Sequence, residues 1–181
     1  MPDPLPLFYW DTNIFFEYLK GEPAPELQRQ AITDLLEENK RKQNKICTSS
    51  MTHVEVVPRK LPADKEREYW ARFNSMHFFD IEVDRSVIML AREIRNFYYQ
   101  EKDFKGSYRL MSVGDSIHLA TAIIHNVSEF HTRDKNSRNG NVKLLGLPEE
   151  SPNGKICGVY SLAVVCPVAN QGRLDLAPKE T

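Results

Sequence analysis

Residues 7–20 read LFYWDTNIFFEYLK, and few chain geometries accept that order. Four apolar or aromatic residues run together and stop at Asp11. A short apolar run closed by turn chemistry reads as a buried strand. TNIFFEYLK follows directly as a helix, which Gly21 and the EPAP beyond it stop. The chain thus passes from buried strand to helix with one carboxylate at the joint. An ionised carboxylate away from water is costly unless something pairs with it. A helix cap, a salt bridge or a cation would each answer for Asp11.

The same alternation continues. Leu27, Ala31, Leu35 and Leu36 recur at helical spacing between Pro25 and about Lys40, and KICTS (45–49) is the next strand. MTHVEVV is a short helix stopped by Pro58. ADKEREYWARFNSM (63–76) reads as a helix with Trp70 and Phe73 inward, and HFFDIEV (77–83) as a strand. Asp84 can cap a helix through about Gln100 whose inner face is Val87, Leu90, Ala91, Ile94, Phe97 and Tyr98. SVGDSIHLATAIIHN (112–126) is apolar on most of its circumference and reads as a central buried helix. SEFHT (128–132) and YSLAVVCP (160–167) are strand-like, and RDKNSRNGN is a polar loop. Segment 136–159, rich in Gly, Pro, Asn and Ser, reads as an irregular insertion.

This order predicts an α/β protein, a three-layer α/β/α sandwich on a mainly parallel sheet of four or five strands. One domain covers 1–169, and 170–181 reads as a poorly ordered tail. In such sheets the functional crevice lies beyond the carboxyl ends of the strands.

Bulk properties narrow the function. The 181 residues suffice for one domain with a real core. No apolar run approaches the roughly 20 residues of a membrane span. MPDPLPLFYW has no basic stretch before its apolar run and does not read as a signal peptide. Cys47, Cys157 and Cys166 have neither metal-finger nor disulfide spacing, so a cytoplasmic setting is expected. A net charge of −1 gives no global basic field. A polyanionic partner would be held by local patches or bound cations.

Four acids fall at comparable places in this layout. Asp11 ends the first strand, Glu55 lies on the helix after the second, Asp115 opens the central helix, and Asp134 follows EFHT. Asp11 or Asp115 could simply cap a helix, Glu55 could be solvated, and Asp134 could be a turn residue. Gathered at one crevice, however, carboxylates repel unless a cation lies between them. An all-oxygen donor set suits Mg²⁺ or Mn²⁺.

The pieces YWDTNIFFEYL, TSSMTHVEV, VGDSIHLATAI and EFHTRDK resemble, in order and spacing, those of PIN-domain ribonucleases. The pattern is similar to that of VapC-type toxins of toxin–antitoxin pairs. The resemblance spans roughly residues 5 to 136, and SLAVVCP resembles the last strand of that fold. It implies metal-dependent endonucleolytic hydrolysis of RNA, single-stranded or structured, with one or two Mg²⁺ or Mn²⁺ ions. It assigns the catalytic, metal-holding quartet to Asp11, Glu55, Asp115 and Asp134. Asn13 and Thr132 match the residues that orient metal or scissile phosphate. It also implies an antitoxin protein as partner and a homodimer.

Asp11, Asp115 and Asp134 are the expected holders of the firmer ion, with Glu55 positioning water or sharing a second. Arg133, Lys135 and Arg138 surround Asp134 as candidate phosphate contacts, whereas KRKQNK (40–45) reads as a solvated helix end. His118 shares a helical face with Asp115 and is expected to pack beside the site. A carboxylate–histidine di-iron bundle is disfavoured by the strands. The competing reading from another class is a non-cutting module that grips RNA or protein on the same fold.

Overall fold

Phe8 and Trp10 of strand β1 (Leu7–Trp10) join one hydrophobic cluster, while Tyr9 between them joins another. This alternation places β1 inside a covered sheet. β2 (Lys45–Ser49) and β3 (Phe78–Ile81) divide likewise, Ile46 and Phe78 going to the first cluster, Cys47 and Ile81 to the second. The computed structural model describes residues 4–20, 25–56, 61–101, 108–135 and 142–168. With β6 (Glu129–His131) and β7 (Val164–Val165), these strands form a five-stranded sheet in the order β3-β2-β1-β6-β7. Every pairing in it is parallel.

One face carries α1 (Thr12–Lys20), α2 (Glu26–Lys40) and α4 (Ala63–Arg72). Phe15 packs there among Trp10, Tyr69, Phe73 and Phe78. The other face carries α5 (Arg85–Phe97) and α6 (Val113–Ile124). The protein is therefore the three-layer α/β/α sandwich expected from the alternation of strands and helices. β1 stands in the middle of the sheet, with β2 and β6 as neighbours. Its carboxyl end is thus flanked by both of theirs. α3 (Met51–Glu55) follows β2 directly. Among the described residues no helix is long and apolar enough to cross a membrane.

Several local expectations are corrected. Tyr69, not Trp70, is the buried aromatic of α4, and Trp70 is 47% exposed. The helix ends at Arg72, and Phe73 just beyond it packs inward on Phe15 as expected. Phe97 is exposed because α5 ends there, and Gln100–Glu101 instead form β4, antiparallel to β5 (Tyr108–Arg109). The last strand has only two residues. Within the insertion, residues 147–150 form the short helix α7 and 152–154 a 3₁₀ turn. The predicted tail lies outside the described residues.

Asp84 does cap α5, its Oδ1 accepting the Val87 N–H at 2.9 Å. Asp84→Ala should leave that N–H without its side-chain partner and lower stability by about 1 kcal/mol. A urea midpoint unchanged by the substitution would show the cap to be idle.

Candidate active site

Asp11 leaves the carboxyl end of β1 with its own N–H bonded to the His131 carbonyl at 3.0 Å. That bond ties the joint between β1 and α1 to the end of β6. The carboxylate is buried, and each oxygen is held. Oδ1 accepts the Thr12 N–H at 2.7 Å. Oδ2 accepts the Thr132 hydroxyl at 2.7 Å and the Asn13 amide at 2.5 Å. Thr132 Oγ1 in turn accepts the Asn13 amide at 2.9 Å and the Asp134 N–H at 3.1 Å. Asn13 Oδ1 accepts the Arg133 N–H at 2.9 Å. Thr132 is buried, so both polar residues act on Asp11 and on the loop after β6.

Asp115 lies in the first turn of α6, and it is not the cap. Ser112 is the cap, accepting the Asp115 N–H at 3.0 Å. The carboxylate of Asp115 is thereby left for other work. Burial, then the charges of Asp11 and Asp134, push its carboxyl up to about 6, against the bond to Ser112. Those two charges place all three aspartates within one electrostatic neighbourhood. Burial also raises Asp11, with Glu55 adding to the rise and His118 and Thr132 opposing it. Asp134 is anchored by the segment after the loop, its Oδ2 accepting the Leu144 N–H at 3.1 Å.

Glu55 comes from the last position of α3. Its Oε2 accepts a close hydrogen bond from the Thr12 hydroxyl and lies 2.9 Å from His118 Nε2. Burial alone would raise this carboxyl, but the bonds to His118 and Thr12 win and lower it. Oε1 rests on Gly114, where an added Cβ would lie 2.3 Å away. His118 itself is raised: burial opposes its charge, and Glu55, Asp11 and Asp115 outweigh burial.

The sheet therefore brings Asp11, Glu55, Asp115 and Asp134 to its carboxyl edge. Asn13 and Thr132 stand beside Asp11. Arg133 sits nearby with its Nε 3.2 Å from the buried Glu17 carboxylate, so part of its charge is already matched. Lys135 is exposed, and Arg138 lies outside the described residues. Sequence reasoning missed Ser112 as the cap and Gly114 as the floor beneath Glu55. It placed His118 beside the site through its spacing from Asp115, but nothing in the sequence pairs it with Glu55, 63 residues away.

Among the described residues no three acidic, histidine or cysteine groups are drawn together tightly enough to hold a metal ion as they stand. The donor set nevertheless fits a hard cation. It is built from carboxylate oxygens, and the charges of Asp11 and Asp134, which add to the rise that burial causes in Asp115, are of the kind a cation between them would offset.

The crowding yields a local prediction. Ala at position 114 suits a helix better than Gly, but its Cβ would collide with a Glu55 oxygen whose partner oxygen is tied down. Gly114→Ala should leave the melting temperature nearly unchanged and displace Glu55. Any hydrolytic activity should fall by about tenfold, as initial rates of the two proteins would show.

A family model described as PIN domain matches residues 8–141. No curated protein matches the chain. Solved structures do. A chain of a toxin–antitoxin complex from Klebsiella pneumoniae is 24% identical, over 74% of this chain and 94% of that one, with a TM-score of 0.46. A chain of VapBC2 from Rickettsia felis, solved bound to a DNA fragment from their promoter, is 18% identical. It covers 74% of this chain and 92% of its own, with a TM-score of 0.50.

Proposed function

Since the chain belongs to the PIN domain family, we propose that it is a metal-dependent endoribonuclease hydrolysing RNA phosphodiester bonds. The observation that supports this reading is the convergence of acids at one edge of the sheet: Asp11 at the end of β1 is bonded to Thr132 after β6, and Asp115 on α6 is raised by burial and, beyond that, by the charges of Asp11 and Asp134. Asp11, Asp115 and Asp134 would hold Mg²⁺ or Mn²⁺, with Glu55 holding water or sharing a second ion. Such an ion supplies a water of lowered pKa and neutralises phosphate charge.

The chain's own residues do the rest. Thr12, Asn13 and Thr132 fix both oxygens of Asp11, so that carboxylate needs no reorganisation when a cation or substrate arrives. Asp134 is fixed through Leu144. Glu55, held at one oxygen by Thr12 and His118, would orient the attacking water by accepting its hydrogen bond. Lys135, and Arg133 in competition with Glu17, would meet phosphates flanking the scissile one. An antitoxin protein and a second copy of the chain are proposed partners on the resemblance of the motifs.

The second reading is a module that grips RNA or protein without cutting it. The exposed Lys135 beside the site would serve such a module without any cation. Purified protein with single-stranded RNA separates the two readings. Cleavage with Mn²⁺ that stops with EDTA is the expected result. Retention of RNA with no cleavage at any Mn²⁺ or Mg²⁺ concentration would establish the binding module instead.

A further inference from the structure

We infer that His118 is a positioning residue, a buried post that sets where the Glu55 carboxylate sits. The function of that carboxylate rests on the nuclease reading above, whereas its placement by His118 does not. His118 is 1% exposed and lies one helical turn beyond Asp115. Both of its ring nitrogens are engaged. Nδ1 faces the Tyr9 hydroxyl at 2.7 Å and Ser49 Oγ at 3.3 Å. Nε2 faces Glu55 Oε2 at 2.9 Å and Thr12 Oγ1 at 3.3 Å. It also lies 3.9 Å from Asp11 Oδ1.

An ionised carboxylate only accepts hydrogen bonds, so Nε2 must carry a hydrogen and donate it to Glu55. The hydroxyls at Nδ1 fit either tautomeric demand of the opposite nitrogen, since each can donate or accept. The imidazole thereby links β1, through Tyr9, and β2, through Ser49, to the end of α3. These strands belong to the rigid centre of the sheet.

Glu55 has need of such a link. α3 is five residues long, and Glu55 is its last residue with its side chain 30% exposed. A terminal side chain on so short a helix has little of its own to hold it. With Oε2 tied to His118 and Thr12, Oε1 is laid over Gly114, next to Asp115. The carboxylate is thus gripped by one oxygen and lays the other against Gly114, the residue before Asp115. A leucine would fill the site of His118 without a polar group to satisfy. The imidazole stands where the partners of four elements converge.

The test is a pair of double-mutant cycles. His118→Leu, Glu55→Gln and the double variant are compared for RNA cleavage with Mn²⁺, and for urea unfolding without metal. His118→Leu should lower kcat by about thirtyfold at nearly unchanged KM. His118→Gln keeps an N–H donor and should recover most of that loss. In the Glu55→Gln background His118→Leu should cost nothing further in kcat, because the residue acts through Glu55. The urea midpoints should be non-additive in the same cycle.

Additive losses in kcat, or His118→Gln no better than His118→Leu, would overturn the positioning role. Should His118→Leu fail to fold, Tyr9→Phe replaces it in both cycles, since it removes only the hydroxyl from Nδ1. Should the wild-type protein cut no RNA, the nuclease reading falls. The urea cycle then decides alone: coupled midpoints support the post, and additive midpoints reject it.

Discussion

Asp11→Asn should lower Mn²⁺-dependent cleavage of single-stranded RNA by at least about a hundredfold while the fold survives. The substitution keeps the shape and removes one charge. As a cap, Asn serves nearly as well as Asp, and the Thr12 N–H can still find Oδ1. The new amide would face Thr132 Oγ1 and the Asn13 amide. Thr132 Oγ1 already accepts from the Asn13 amide and the Asp134 N–H, and the Asn13 amide cannot turn to accept without releasing the Arg133 N–H. That mismatch costs about 1 kcal/mol. Against it stands relief, because burial already disfavours the charge on Asp11. The melting temperature should therefore move by no more than about 4 °C. Cleavage within twofold of wild type would return Asp11 to a capping role and remove the nuclease reading.

Asp115 carries the second large effect, and it appears without substrate. Its folded carboxyl is pushed up to about 6 from 3.8. A raised carboxylate makes the folded state bind the proton more tightly than the unfolded chain. Below about pH 4 both states hold the proton and the fold carries no penalty. As pH rises through about 6, the fold must accept a charge it disfavours. At 1.36 kcal/mol per pKa unit, the metal-free protein should lose about 3 kcal/mol across that window from this residue. Other groups shift too, Asp11 and His118 upward like Asp115 and Glu55 downward. The measurement is accordingly the difference between wild type and Asp115→Asn. Asp115→Asn should gain on wild type as pH rises from 4 to 7 in EDTA. Millimolar Mn²⁺ at pH 7 should raise the wild-type melting temperature by mass action and leave that of Asp115→Asn nearly unmoved. Parallel stability curves for the two proteins, with or without Mn²⁺, would place Asp115 outside any cation site.

The legible parts of the fold were those where one local signal dominated. LFYW followed by TNIFFEYLK changes period at Asp11, and both elements lie where that change put them. Asp84 before a strongly amphipathic run fixed the start of α5. Elsewhere two residues competed for one role, and only packing decided. Ser112 and Asp115 are both good caps, and the backbone placed the helix start at Val113. Tyr69 and Trp70 are both large, and it is Tyr69 that packs edge-on against Phe15. The β4–β5 ladder has no alternating apolar signal. The candidate acids could be named because they sit at element ends. The contacts of His118 and Gly114 with Glu55 could not, because they depend on how α6 lies against α3.

Thr132 and Asp11 are joined across 121 residues of sequence. This spacing gives the crevice a birth date during synthesis. Asp11, Glu55 and Asp115 have all left the ribosome before β6 exists to pair with β1 and deliver Thr132 and Asp134. At roughly 5–20 residues per second, the first carboxylate waits on the order of ten seconds for the last. Through that interval the nascent chain has most of its acids and no assembled site, so the cleavage proposed above has to wait for β6. Arrested chains ending at residue 125 and at residue 181, each carried clear of the ribosome by a linker and assayed for cleavage with Mn²⁺, would differ in β6 and all that follows it. Cutting by the shorter chain would mean that the acids can work without it.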